Sequence, residues 1–393
     1  MKINSTLLAA ALGLASVSLA SATQYIYITG STSGRGTFVN ELAAGVGFDN
    51  PPTVASYGAS TFIGATYFEF SNTISGTPTI VKYTASGSEA GIADVSGAIN
   101  EPFLADFGNG TPAVVAGVNS GNPNATQLIT NTVNIALADD ALIYSKNPGS
   151  SAVQTGPIIA IPYVFAKSTT TIADQAAFTG ITDDNFKVLA SGGDYLGLFT
   201  GNPADQNNYV YLAGRDNNAG ARVNVFDETG WGSGKIPNQI ELAGGQLVNF
   251  GTALSPNYYT AQGQSSGGAL AKSLTNTTAT VDYISDPSGG TVGLVAVAYL
   301  GLADDVTAEA APYNATRLTY DGVSYSISNV ENGLYALWAY EYIYSKAGSA
   351  SYITTFEAAA ATNIGNPTYN DGYEIPLGDL NVIRTGPLSP PIE

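Results

Sequence analysis

Residues 24–43 read QYIYITGSTSGRGTFVNELA and place a strand, a loop and a helix in direct succession. Residues 24–28 alternate and are rich in aromatic and β-branched side chains, which predicts a strand. Residues 37–43 carry apolar side chains at helical spacing. The loop between them consists of Gly, Ser and Thr with one arginine. The stretch therefore predicts a strand that delivers a small polar loop to the start of a helix.

The same order of strand, loop and helix recurs later in the chain. Residues 79–83 form a second predicted strand, followed by a Gly/Ser loop over residues 84–91 and a short helix. A third Gly/Ser loop, residues 263–268, precedes a predicted helix over residues 269–274. Strands that alternate with helices are typical of α/β proteins, so we expect an α/β fold with mostly parallel sheets.

Other segments are assigned from their own patterns. Residues 182–192 predict a helix, with a capping threonine at the start and a terminal glycine. Residues 208–213 predict a strand. The apolar runs at residues 157–165 and 291–300 predict buried strands, and residues 330–344 have a spacing that predicts a helix.

The composition excludes several classes of function. The 393 residues include 31 acidic and 13 basic side chains, for a net charge of −18. We therefore expect no nucleic-acid partner, because such binding needs a basic face. The chain has no Cys and no His, which removes the usual zinc ligands and Ser-His-Asp or Cys-His catalysis. Adjacent acidic pairs begin at Asp139, Asp183 and Asp304 without an evident nucleophile and base. We predict a protein that is not an enzyme and uses neither a cofactor nor a metal.

The first 22 residues have the features of an export signal. MKINSTLLAAALGLASVSLASA contains one lysine, then a short apolar run, and ends in Ala20-Ser21-Ala22. This order is read by signal peptidases, and the apolar run is too short to span a bilayer, which takes about 20 residues. We expect cleavage near Ala22 and a protein that is periplasmic or secreted to the cell surface.

Four Gly/Ser turns could hold an anion. A turn that feeds a helix N-terminus leaves several backbone N–H groups without intrahelical partners, and the helix dipole adds partial positive charge there. Capping alone also explains such turns, and Arg215 could instead pair with Asp216 or Asp227. Two of the four turns carry arginines, at Arg35, Arg215 and Arg222, in a chain with few basic residues. The four turns span residues 31–36, 86–91, 215–222 and 265–268.

Several of these stretches resemble the phosphate-binding proteins of phosphate ABC transporters, in the type II periplasmic-binding-protein superfamily. Residues 83–92, YTASGSEAGI, resemble that family's Y-x-x-x-G-S-x-x-G-hydrophobic stretch. GRDNNAGAR, residues 214–222, resembles the G-R-x-x-x-S-G-T-R loop. Residues 29–33 fall where the family has its first Gly/Ser/Thr turn. Residues 290–299 resemble its return strand, and residues 332–338 its late N-G-x-Y segment.

The resemblance implies a two-lobe fold, each lobe a mostly parallel sheet flanked by helices. Residues 1–22 are then the signal peptide, residues 23–162 with 297–393 lobe one, and residues 163–296 lobe two. A small anionic ligand such as phosphate would bind in the cleft of a monomer that serves an ABC transporter permease. Carried over by position, the ligand-binding residues are Ser31, Thr32, Ser33, Arg35, Ser88, Arg215, Gly220 and Arg222.

The chain also departs from the family pattern. Ala219 and Ala221 stand where the family has Ser and Thr, so two hydroxyl donors are missing. Ile99 stands where the family often has an acid or a serine. Each lost hydrogen bond to a charged group is worth about 1.5–3 kcal/mol. Two functions therefore remain open: a solute-binding protein for an oxyanion, and a secreted surface or matrix protein that keeps the fold without the phosphate site.

Overall fold

The computed structural model describes most of the chain beyond the predicted signal peptide, whose first 21 residues lie outside the described part. In the described part, no helix is both long and apolar enough to cross a membrane. The described residues are 22–97, 99–170, 173–244, 246–252, 255–259, 262–275, 280–282 and 291–384.

Strands and helices alternate along the described residues. The strands are β1 Gln24–Gly30, β2 Thr53–Tyr57, β3 Tyr67–Ile74, β4 Thr77–Thr84, β5 Asn100–Leu104, β6 Gly117–Asn119, β7 Leu128–Thr132, β8 Ile135–Ala138, β9 Ala152–Gln154, β10 Ile159–Lys167, β11 Gly180–Ile181, β12 Asp194–Tyr195, β13 Asn208–Leu212, β14 Leu242–Ala243, β15 Gln246–Leu247, β16 Gly251–Thr252, β17 Ser255–Pro256, β18 Thr280–Asp282, β19 Thr291–Gly301, β20 Thr316–Tyr320 and β21 Trp338–Lys346. The α-helices are α1 Arg35–Ala43, α2 Ser88–Gly97, α3 Asp183–Ser191, α4 Leu196–Thr200, α5 Gly220–Glu228, α6 Gly267–Ser273, α7 Leu302–Glu309, α8 Ile327–Glu331 and α9 Ser351–Asn363.

One large sheet organises the molecule, in the order β12-β13-β19-β10-β21-β8-β1-β4-β3-β2-β6. The neighbours β8, β1 and β4 are parallel, as are β13 and β19. The α/β class is therefore confirmed. The sheet is more mixed than the mostly parallel sheets we predicted, because β10, β21, β3 and the edge strand β12 pair antiparallel.

Strand β10 pairs with different strands of the sheet along its length. Residues 159–162 pair with β21, and residues 163–167 pair with β19, with β20 also joining residues 165–167. Every residue of β10 is buried, and the buried apolar residues on both sides of it form one continuous cluster. The boundaries of the two predicted lobes stay a prediction.

Most element predictions agree with the structure, and one is wrong. Helix α3 starts at the capping Thr182, whose hydroxyl accepts a hydrogen bond from the Asn185 N–H, and it ends at Gly192. Residues 330–344, predicted as one helix, instead hold the end of α8 and most of β21. Gly333 lies in the left-handed region with φ of 71° and ends α8. The aromatic and β-branched residues that follow favour a strand buried on both faces, as β21 is.

Candidate functional site

Three parallel strands bring the predicted loops together at one edge of the sheet. Strands β4, β1 and β8 lie side by side, and their carboxyl ends deliver residues 85–88, 31–34 and 139–141 to the same place. Gly30 ends β1 with φ of 114°, and a Cβ there would lie 2.0 Å from the Leu137 carbonyl oxygen. A glycine is therefore required for β1 to turn so close to β8.

A carboxylate of the chain itself lies between these loops. Asp139, directly after β8, is 1% exposed. Its Oδ1 accepts a hydrogen bond from the Ser88 hydroxyl at 2.5 Å, and its Oδ2 accepts from the Ser33 hydroxyl at 2.8 Å and the Tyr163 hydroxyl at 2.8 Å. Three hydroxyl donors thus converge on one carboxylate, as they would on a bound oxyanion.

The start of α5 closes this arrangement from the other side. A methyl group on Gly220 would lie 1.6 Å from Asp139 Oδ1, so the carboxylate rests on the glycine. The Asn224 amide, one turn into α5, donates to the Asp139 carbonyl at 2.6 Å. We call Ser33, Ser88, Tyr163 and Gly220 around the Asp139 carboxylate the Asp139 cradle. The cavity left beside it has about 10 Å³, room for about one water.

The loop before α5 is fixed to the first half of the chain by further contacts. The Asn218 carbonyl accepts a hydrogen bond from the Glu89 N–H at 3.1 Å. Lys146 Nζ donates to the Asn217 carbonyl at 2.6 Å and to Asn218 Oδ1 at 2.8 Å. The first residues of α2 and α5 are therefore close together, and both contact the Asp139 side chain.

Two more carboxyl groups lie buried behind the cradle. Burial raises the pKa of Asp140 well above its ordinary value, and the charges of Glu89 and Asp139 raise it further. Burial also raises the pKa of Glu341, again with Asp139 adding to the effect. Burial therefore favours the neutral form of both neighbouring carboxyl groups.

A larger cavity of about 450 Å³ lies next to the cradle and contains three cations. Arg215 Nε donates to the Gln264 carbonyl at 3.1 Å and its Nη2 to the Ser265 carbonyl at 3.4 Å. Arg35 Nε donates to the Ile63 carbonyl at 3.1 Å. Across the described residues, neither arginine nor Lys272 has a carboxylate oxygen within 4 Å. We call this space the cation cavity.

One acid also lines the cation cavity. Asp304 is half-buried and lies against the start of α6, where a Cβ on Gly267 would meet its Oδ2 at 1.7 Å. Burial raises the pKa of Asp304, while the positive charges of Arg215, Arg35 and Lys272 oppose that rise. Three cations face a single carboxyl, so the cavity keeps a positive excess inside an acidic protein.

The structure collects most of the predicted site residues. Ser31, Thr32, Ser33, Ser88, Arg215 and Gly220 line the small cavity of the cradle, and Thr32, Ser33, Arg35 and Arg215 line the cation cavity. Arg222 lines neither. It is buried over the Phe226 ring, 5.3 Å from the centroid, and donates to the Arg215 carbonyl at 3.1 Å. Arg215 forms neither of the two ion pairs considered as alternatives.

The sequence interpretation missed three residues of the site. Asp139 and Asp304 were considered only as members of adjacent acidic pairs, and Lys272 was not considered as a ligand. Asp139 did carry a signal, since it follows the apolar residues 135–138 and so stands at the carboxyl end of a strand. Ligands of α/β sheets bind at that end.

A cavity of about 570 Å³ elsewhere on the molecule is less suited to an anion. Tyr340, Tyr342 and Arg384 are among its lining residues. Arg384 Nη1 is already paired with Glu228 Oε2 at 2.7 Å, and its guanidinium lies over Trp338. Its positive charge is therefore neutralised within the fold.

By sequence, the chain is similar to phosphate-binding proteins, which confirms the resemblance expected from the motifs. The match is to the phosphate-binding protein PstS of Bacillus subtilis (strain 168), 29% identical over 161 residues, or 39% of this chain and 49% of that protein. The chain thus spans about half the length of that curated relative. No model of a known protein family matches the sequence.

Solved structures give weaker likenesses. One is a protein assigned as a phosphate ABC transporter substrate-binding protein, from Clostridium perfringens with bound phosphate (TM-score 0.48, 13% identity, 90% of this chain and 100% of that chain). Another is an ABC-type phosphate transport receptor from Vibrio cholerae (TM-score 0.43, 11% identity, 89% of this chain and 99% of that chain).

Proposed function

We propose that this chain is an extracytoplasmic solute-binding protein that holds an oxyanion in the cation cavity and catalyses no reaction. The proposal includes the predicted two-lobe arrangement, with β10 as a crossing strand, and a monomer that serves an ABC transporter permease. The sequence similarity to a phosphate-binding protein supports a binding role.

One observation carries the proposal: the cation cavity gathers three of the chain's 13 basic residues. Arg215 is only 6% exposed, and a buried cation without a counter-ion is costly. An oxyanion would supply that counter-ion, and the fork-shaped guanidinium of Arg215 suits it. The Thr32 side chain and the Gly/Ser turn before α6 would add neutral donors from opposite sides.

The size of the cavity favours a ligand larger than bare phosphate. About 450 Å³ falls within the range of small-molecule sites. An organic phosphate or another organic oxyanion would fill more of this space while its charged end meets Arg215 and Arg35. We therefore propose an oxyanion with an organic portion ahead of inorganic phosphate.

The proposal is tested by titrating inorganic phosphate, sulfate and glycerol 3-phosphate into the mature protein by calorimetry. We expect saturable binding of at least one of them. Arg215→Ala should weaken it about 10- to 100-fold, since a hydrogen bond to a charged group contributes about 1.5–3 kcal/mol.

The matched control is Arg317→Ala. Arg317 is a partly buried arginine that pairs with Asp305 and lines neither the cradle nor the cation cavity. This variant should keep the affinity of the wild type. No binding of any of the three oxyanions at millimolar concentration would contradict the proposal. It would favour the alternative of a surface or matrix protein, above all if light scattering showed an assembly.

A further inference from the structure

We infer that Asp139 is an internal anion: its carboxylate occupies the cradle in place of a free oxyanion and restricts ligands to the cation cavity. This inference rests on the proposed function in one respect, since the small cavity of the cradle and the cation cavity share Thr32, Ser33, Gly87 and Arg215. It adds a residue that selects which anion the cleft accepts, and where.

The first support is the set of donors around the carboxylate. Both oxygens of Asp139 are used, Oδ1 by Ser88 and Oδ2 by Ser33 and Tyr163. The two serines belong to the Gly/Ser turns that were predicted to bind an anion from solution. In the folded chain their hydroxyls instead bind the carboxylate of Asp139, a residue of the protein itself.

The second support is the fit of Gly220 at the start of α5. The nine residues of α5 begin at this glycine, and its missing side chain is the space that Asp139 Oδ1 fills. The side chains of Ala219 and Ala221 line the same cavity and carry no hydroxyl. The two alanines leave the donation to Ser33, Ser88 and Tyr163, which suits an anion with two oxygens better than one with four.

The third support is the distance along the chain between Asp139 and its partners. Ser33, Ser88 and Tyr163 lie 106, 51 and 24 residues away. Asp205 offers a contrast, since it is also 1% exposed but pairs with Thr200 and Asn202, three to five residues away. Asp205 stabilises one local turn, whereas Asp139 joins the loops of both halves of the molecule.

The inference has a consequence for ligand choice. The cavity of about 10 Å³ beside Asp139 is too small for a phosphate ion, and the negative charge of Asp139 would repel a phosphate ion. A ligand anion must therefore meet Arg35, Arg215 and Lys272 from the cation cavity, because the hydroxyls of Ser33, Ser88 and Tyr163 already donate to Asp139. Removal of the Asp139 carboxylate should open a second anion site with those hydroxyls as donors.

The test is rescue of Asp139→Ala by formate, which has the shape and charge of the missing group. Sodium formate at about 50 mM should raise the Tm of Asp139→Ala by about 2–4 °C more than sodium chloride of equal ionic strength. The wild type and the control Asp205→Ala should show no such difference. If formate and chloride act alike on Asp139→Ala, or formate acts alike on all three proteins, the inference is overturned.

A second variant decides the matter if Asp139→Ala does not fold. Asp139→Asn keeps the shape of the side chain and removes its charge, and hydrogen bonds to a charged acceptor are about twice as strong as neutral ones. Its Tm at pH 6 should lie about 2–4 °C below that of the wild type. An unchanged Tm would overturn the inference.

The two failures are distinguishable. A wild type that binds no oxyanion contradicts the proposed function, while formate rescue of Asp139→Ala would still support the internal anion. Oxyanion binding by the wild type together with no selective formate effect contradicts the internal anion and leaves the proposed function standing.

Discussion

The Asp139 cradle and the cation cavity lie side by side and share residues, yet they are built from opposite chemistry. The cradle surrounds a carboxylate with neutral hydroxyls and a glycine, and almost no space is left in it. The cation cavity holds three cations around about 450 Å³ with one acid among them. The carboxylate of the cradle is satisfied by hydrogen bonds from the chain itself, whereas the cation cavity is where we propose that an anion from solution binds.

The difference shows how a weak set of donors can hold an anion when that anion is tethered. A free ligand loses translational and rotational freedom on binding, at a cost of several kcal/mol. Asp139 is held next to its donors by β8, so neutral hydroxyls are sufficient. A dissolved anion needs the charges of Arg215 and Arg35 as well.

The largest effect is expected from filling the space that Asp139 occupies. The methyl group of Gly220→Ala would overlap Asp139 Oδ1 and lie 2.7 Å from Asp140 Oδ1. The carboxylate must then leave its three hydroxyl donors. Urea unfolding should show a loss of about 3 kcal/mol in the free energy of unfolding, in the upper range for overpacking a core.

Gly234→Ala is the control for this change, because a Cβ there has no atom within 4 Å. It should stay within about 0.5 kcal/mol of the wild type. A Gly220→Ala protein as stable as the control would show that Asp139 does not rest on α5, and the contrast between the two cavities would then disappear.

The local parts of this arrangement could be predicted from the sequence, because they depend on neighbouring residues. The order of strand, Gly/Ser loop and helix at β1 and α1 is set by side-chain periodicity and small residues. The same holds for α3, whose capping threonine and terminal glycine are sequence signals. Six of the eight predicted ligand residues also line the small cavity of the cradle.

The occupant of the cradle could not be predicted in that way. Asp139 reaches the serine loops because β8 pairs with β1 in one particular register, and Gly220 reaches it because α5 packs against the same edge. Strand pairing between distant residues leaves no trace in local periodicity. The misassigned β21 has the same origin, since burial on both faces removes the alternation that marks a strand.

A second prediction tests whether the charge at the cradle belongs to Asp139 alone. Burial, and then the charge of Asp139, raise the pKa of Glu341 well above its ordinary value of 4.5. Above about pH 4.5 the unfolded chain releases this proton and the folded chain keeps it. The free energy of unfolding should therefore fall as pH rises, by about 1.4 kcal/mol per pH unit for this group, until the folded pKa is reached.

Glu341→Gln replaces this titrating carboxyl group with an amide that does not titrate. Its free energy of unfolding, measured by urea titration between pH 5 and pH 8, should fall less steeply with pH than that of the wild type. Glu309→Gln changes an exposed carboxyl instead and should leave the slope as it is. Equal slopes for Glu341→Gln and the wild type would mean that Glu341 is ionised next to Asp139.

The smallest effect concerns the outer edge of the cation cavity. Lys272 lies in the last turn of α6 and is exposed, whereas Arg215 is buried. An exposed charge contributes little to binding, because water and salt screen it. Lys272→Ala should weaken oxyanion binding about threefold at low salt and less in 0.5 M sodium chloride. Lys187 is a partly exposed lysine that pairs with Asp184 and lies outside both cavities, so Lys187→Ala should leave the affinity unchanged. Calorimetry at two salt concentrations measures the affinity of both variants.

A loss of affinity in Lys272→Ala as large as that in Arg215→Ala would place the anion at the rim of the cation cavity instead of at its buried arginine.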